Sequence, residues 1–182
     1  DITRLRSATE ALRDSEEALR RTLESAPHGM AILQPDGGFL SVNPALCRLF
    51  GRPAEQLGTL RFFDVLDPAD HATMRPVFDA LLAGEHSDAN CELRGLLPDG
   101  TRIWLLLTAA LVRDAAGAPL HCIVQFVDIH RRKRDESRLA ALGARLALAL
   151  DAARLGIWNW NCVPDIVDGD ARYARLFGIG QG

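Results

Sequence analysis

The chain has 182 residues, 48% of them hydrophobic and 25% charged, with a formal net charge of −3. That balance gives one full core with appendages and excludes the broad basic field of a nucleic-acid binder. No apolar run approaches the ~20 residues needed to span a bilayer, and no basic-then-apolar amino terminus reads as a signal peptide, so no membrane contact is expected within this segment.

Residues 3–25 predict a helix, rich in Ala, Leu, Arg and Glu and free of Gly and Pro. Leu5, Leu12 and Leu19 recur every seven positions and Leu23 joins a second row four along, in which Thr9 and Glu16 are polar interruptions. That is a heptad seam. A charged helix of this length is marginal alone, and a second copy of itself is its simplest partner. GMAILQ, PDGG and FLSVN then read as a β-hairpin. NPALCRLFG reads as a short helix with Pro44 at its first turn and Gly51 as its stop, and residues 53–57 as one more turn. DPADHATMRPVFDALLAGE predicts a longer helix capped by Asp67, with Met74, Val77, Phe78, Leu81 and Leu82 as its apolar stripe and Pro76 inside it. Cys91 to Leu97 alternate as a half-buried strand. TRIWLLLTAALV is apolar on both faces and reads as a central strand covered on both sides, and LHCIVQFVD follows a turn. Short hairpins around one helical crossover argue for an antiparallel α+β domain.

A repeat sets the boundaries. Asp1-Ile2 recurs as Asp128-Ile129, 127 positions on, and at the same offset Arg48-Leu49-Phe50-Gly51 recurs as Arg175-Leu176-Phe177-Gly178. Leu12, Leu19 and Leu23 meet Leu139, Leu146 and Leu150 without a gap. The expected organisation is a linker helix at 1–25 following an earlier repeat, a complete domain at 26–130, a second linker helix at 131–155, and the truncated start of a further repeat at 156–182.

Residues 22–134 resemble the PAS family throughout. ESAPHGMAILQPDGGFLSVNPALCRLFG is similar to the PAS opening, LRGLLPDGTRIWLLLT to its later strand–turn–strand hairpin, and VQFVDIHRRKRDESRL to its D-I-T ending with a basic, then acidic helix. The resemblance implies a five-stranded antiparallel sheet cupping a pocket under internal helices, flanked by coiled-coil-like linker helices that carry signals, usually in a dimer. The family's Thr after D-I is Thr3 in the first copy and His130 in the second, so Asp128 is left to cap the outgoing helix by its carboxylate.

Within such a pocket, Met74, Phe78, Trp104 and Gln125 are the candidate lining for flavin or a small metabolite, set against a core that simply fills itself. Light-sensing members carry a cysteine in G-x-N-C-R-F, and Gly58-Thr59-Leu60-Arg61-Phe62 places Leu60 there, which excludes a cysteinyl adduct. His86, after the long helix, is the candidate haem ligand, against a solvated surface histidine. No histidines have metal-ligand spacing, and the four cysteines read as small core hydrophobes in a reducing compartment. No catalytic constellation stands out. Arg131 to Arg134 precede Asp135 and Glu136 directly and read as a solvated helix face.

The expected function is a cytoplasmic, homodimeric sensory and relay module, whether or not its parent is membrane-anchored. It needs no cofactor, is not itself an enzyme, and adjoins further PAS domains and a histidine kinase or cyclic-dinucleotide output. Leu5, Leu12, Leu19 and Leu23 form its dimer seam. Asp128, Glu136 and Gly143 form its relay, the last two being weak points of the second seam. The alternative is a receptor for which flavin, haem or a metabolite is obligatory.

Overall fold

Left-handed glycines at the tips of Asp-Gly turns, such as Gly37 (φ 86°) and Gly100 (φ 82°), let adjacent strands fold back on each other. The computed structural model describes Arg21 and residues 23–178. Five strands, β1 (Gly29–Leu33), β2 (Phe39–Val42), β3 (Asp88–Leu96), β4 (Arg102–Arg113) and β5 (Pro119–Asp128), pair antiparallel in the order β2-β1-β5-β4-β3. β5 is therefore central. β4, expected to be central and covered on both sides, lies between β5 and β3, and its outer face is open, with Thr108 and Ala110 exposed and Leu106 half-buried. Its apolarity on both faces resembles that of a doubly covered strand, but strand order is set by long-range pairing.

Helices fill the crossover between β2 and β3. α1 (Pro44–Phe50) starts on Asn43 and stops at left-handed Gly51. α2 (Ala54–Leu57) follows, then a 3-10 turn (Phe62–Val65) that local patterning did not single out. α3 (Pro68–Ala83) is capped by Asp67, whose side chain accepts from Ala69 N, and it runs through Pro76 to left-handed Gly84. The inward rows of the sheet, Leu33, Leu105, Leu107, Val124 and Phe126 among them, pack against Leu46, Phe50, Phe62, Phe78 and Leu81 from the helical layer. Burial of this apolar layer is the main stabilising term.

The chain divides into two compact units, one ending at Arg131 and the other beginning at Arg132. Helix α4 (His130–Ala153) has no buried residue along its length. Leu139, Leu142 and Leu146 form an exposed stripe on it at helical spacing. Beyond it lie an antiparallel hairpin, β6 (Trp158–Asn161) with β7 (Ile166–Gly169), and a short helix α5 (Ala171–Phe177). Both strands are exposed on both faces, and Trp158, Trp160 and Phe177 are more than half exposed. Leu5, Leu12 and Leu19 of the expected first seam lie outside the described residues. No described helix is long and apolar enough to cross a membrane.

Candidate functional site

The space between helices and sheet is occupied by the protein's own side chains. Phe62 stacks on Phe78 with ring centroids 5.8 Å apart, and Phe50 meets Phe126 edge-on at 5.6 Å. Met74 and Phe78 of α3, Phe62, Leu33, Leu107 and Val124 surround a free volume of about 10 Å³. That is about the smallest space that holds one water, so a ring-sized ligand would have to part the Phe62–Phe78 stack. Met74 and Phe78 thus face the interior as the sequence suggests. Trp104 and Gln125, which the sequence places in the pocket lining, do not. Leu105, Leu107 and Ala109 of β4 and Cys122, Val124 and Phe126 of β5 point inward, so the alternating residues Trp104 and Gln125 stand on the outer face. His86 is exposed on the connection between α3 and β3, outside the cavity lining.

The outer face holds a larger concavity of about 320 Å³ where the incoming helix meets β1, β2 and β5. Leu23, Met30, Ile32, Val42 and Ile123 supply its apolar lining, and Glu24 and His121 are among its polar residues.

Two junctions tie the domain to its flanking helices. At the first, Asn43 is 4% exposed and satisfies four backbone groups. Its Oδ1 accepts from Met30 N and Leu46 N, each at 2.9 Å, and its Nδ2 donates to the carbonyls of Leu23 and His28, each at 3.0 Å. At the second, Asp128 Oδ1 accepts from His130 N at 2.8 Å, while Ile129, buried, donates its N–H to Trp104 O at 2.9 Å. Asp128 therefore caps α4 through its carboxylate. Nδ1 of His130 is buried without a hydrogen-bond partner, so the imidazole does not replace a hydroxyl. Further along α4, Glu136 pairs with Arg132 at 3.0 Å, and the space around Gly143 is open.

A charged cluster that sequence reasoning missed fastens the start of α3 to the β3–β4 hairpin. Arg94 grips Asp70 with two nitrogens, at 3.1 and 2.5 Å, and its backbone N–H adds a third bond at 2.7 Å. Those bonds hold the Asp70 carboxyl below its ordinary value. Asp67, buried, sits 2.6 Å from Arg102 Nε. Burial raises the thiols of Cys47, Cys91 and Cys122 above their ordinary value, which keeps them protonated and poorly nucleophilic. Among the described residues no group of three His, Cys, Asp or Glu could hold a metal ion.

Residues 17–129 match the family model described as PAS fold. The chain is 33% identical over 174 residues to "Probable diguanylate cyclase DgcE" of Escherichia coli (strain K12), a match covering 96% of this chain and 16% of that protein. It is 24% identical over 154 residues to "Sensor histidine kinase TmoS" of Ectopseudomonas mendocina, covering 84% of this chain and 16% of that protein. The chain thus spans 16% of the length of each of these curated relatives. Among solved structures, the PAS domain of the protein from Colwellia psychrerythraea has a TM-score of 0.59 at 14% identity, covering 63% of this chain and 97% of that one, a likeness of fold. With the family model matching well over half of the chain, and with helices packed on one face of a β2-β1-β5-β4-β3 sheet, the chain belongs to the PAS family.

Proposed function

We propose that this chain is a sensory and relay module of a larger, cytoplasmic signal transducer, that it dimerises through its linker helices, and that it passes conformational change along them to a diguanylate cyclase or histidine kinase output. The observation that carries this reading is the match to a protein named as a diguanylate cyclase, which takes in 96% of the chain and so includes linker and tail as well as the sheet domain. The uncovered leucines of α4 support it, because a stripe of exposed Leu139, Leu142 and Leu146 on a 24-residue helix calls for a partner helix. On this reading Asp128 joins the sheet to the output linker through the cap of α4, and Glu136 and Gly143 keep two packings of that linker close in energy. The PAS domain itself is non-catalytic, and catalysis belongs to the output.

The test is helical phase. In the full-length parent, inserting two or five residues after Ser137 rotates everything downstream by roughly half a turn relative to the seam, whereas seven residues restore it. Regulated output should fail with the first and return with the second. An output indifferent to all insertions would make the linker a passive spacer and overturn the relay.

A further inference from the structure

The second unit repeats, 127 positions on, a set of hydrogen bonds made in the first. Asn43 Oδ1 accepts from Met30 N and Leu46 N, each at 2.9 Å; Asp170 Oδ1 accepts from Ile157 N and Tyr173 N, at 3.2 and 2.8 Å. The N–H of Asn43 donates to Met30 O at 3.0 Å, and that of Asp170 to Ile157 O at 2.9 Å. A Cβ on Gly29 would stand 3.2 Å from the Leu46 Cα, and one on Gly156 would stand 2.6 Å from the Tyr173 Cα. The helix after each cap ends in a left-handed glycine, Gly51 or Gly178. Four independent features in one register are hard to obtain from unrelated segments.

The copies part company at the incoming helix. Asn43 holds that helix through its amide, whose Nδ2 donates to the Leu23 carbonyl. A carboxylate has no proton to give, so Asp170 cannot do the same for Leu150. Arg172, standing where the first copy has Ala45, does it differently. Its Nη1 donates to Asp170 Oδ2 at 3.1 Å, its Nη2 to the Ala147 carbonyl at 3.2 Å, and its Nε to Asp151, which stands where the first copy has Glu24.

We propose that residues 156–178 open a second copy of the domain and that Arg172 is the positioning residue fixing α4 onto it, an ionic latch in place of the neutral amide latch of Asn43. Its consequence for output rests on the relay reading above; its existence does not. The charged side chains are 24% to 56% exposed, so dissolved salt screens them, whereas Asn43 is 4% exposed and uncharged. The two junctions therefore differ in their response to ionic strength.

Hydrogen exchange of the whole 182-residue chain tests this. Arg172→Ala should speed exchange of amides 147–157 by roughly two- to fivefold, the scale of exposed ion pairs, and leave the strands of the first unit unchanged. Asp170→Asn combined with Arg172→Ala should restore protection, because the new amide can donate to the Leu150 and Leu155 carbonyls as Asn43 does to those of Leu23 and His28. About 1 M salt, well beyond the screening of a short Debye length, should speed exchange in the parent chain and not in the double variant. Exchange in Arg172→Ala equal to that of the parent chain, or a double variant no better protected than the single one, would overturn the latch. Failure of the relay reading looks different: output would ignore linker insertions while this local protection persisted.

Discussion

Asn43 Nδ2 donates to the carbonyl of Leu23, 3.0 Å away and 20 positions earlier in the chain. One buried amide thus caps α1, bonds the second residue of β1 and holds the end of the incoming helix. Asn43→Ala removes the cap and leaves Met30 N and the His28 carbonyl short of partners, and should cost about 2–3 kcal/mol of stability. Asn43→Asp keeps the acceptor half and should cost less, yet free the incoming helix equally. Urea unfolding read alongside exchange of amides 23–28 separates the two effects.

Phe78 fills the space between α3 and the sheet. Phe78→Ala should destabilise the domain by about 3–5 kcal/mol, because its packing on Phe62 and Phe63 is lost and the cavity cannot fully collapse. The midpoint of urea unfolding should fall while its slope stays constant. A small loss would mean that the interior relaxes freely around the gap, as a domain built to open for a ligand would.

The Asp70–Arg94 pair gives stability a dependence on pH of known sign. The folded carboxyl titrates below its ordinary value of 3.8 because Arg94 bonds the ionised form. Its contribution is complete above that ordinary value and is lost as pH falls through the lowered folded value. Asp70→Asn should therefore be less stable than the parent chain at about pH 6, and the difference should shrink steadily below about pH 4. Unfolding midpoints of both proteins across that range give the comparison.

On the proposed dimer, association should run through the exposed leucines of α4. Leu139→Asp with Leu146→Asp places charge on a stripe that is 70% and 53% exposed at those positions, so folding should be spared while any helix pairing is weakened by buried, unpaired carboxylates. Light scattering should give the double variant a lower mass than the parent chain at the same concentration. An unchanged mass in solution would exclude α4 as the seam.

Much of this architecture is written locally. Asp67-Pro68 starts α3 and Gly84 stops it, and Asp-Gly turns bracket the strands, because caps and turns depend on neighbours a few residues away. Strand order depends on distant partners, which is why β4 read as central. The orientation of Trp104 was hidden because β4 is apolar in both of its rows, Leu105 and Leu107 inward and Trp104 and Leu106 outward. Gln125 was misplaced in the pocket lining although its alternation with Cys122, Val124 and Phe126 points it to the outer face. His86 looked like a ligand only by nearness in sequence to α3. Arg94 and Arg172 escaped notice because each meets an acid more than 20 positions away.

The first strand and the last strand of the sheet domain are hydrogen-bonded neighbours, with Gly29 opposite Phe126. The chain therefore arrives and departs side by side at one end of the sheet. A domain of this kind is a cassette: it can be spliced into a longer polypeptide, duplicated or removed without rethreading anything around it. The same adjacency makes it permutable. Joining residue 128 to residue 27 by a few glycines and opening the exposed Pro98–Gly100 tip should give a chain with new termini and the old sheet.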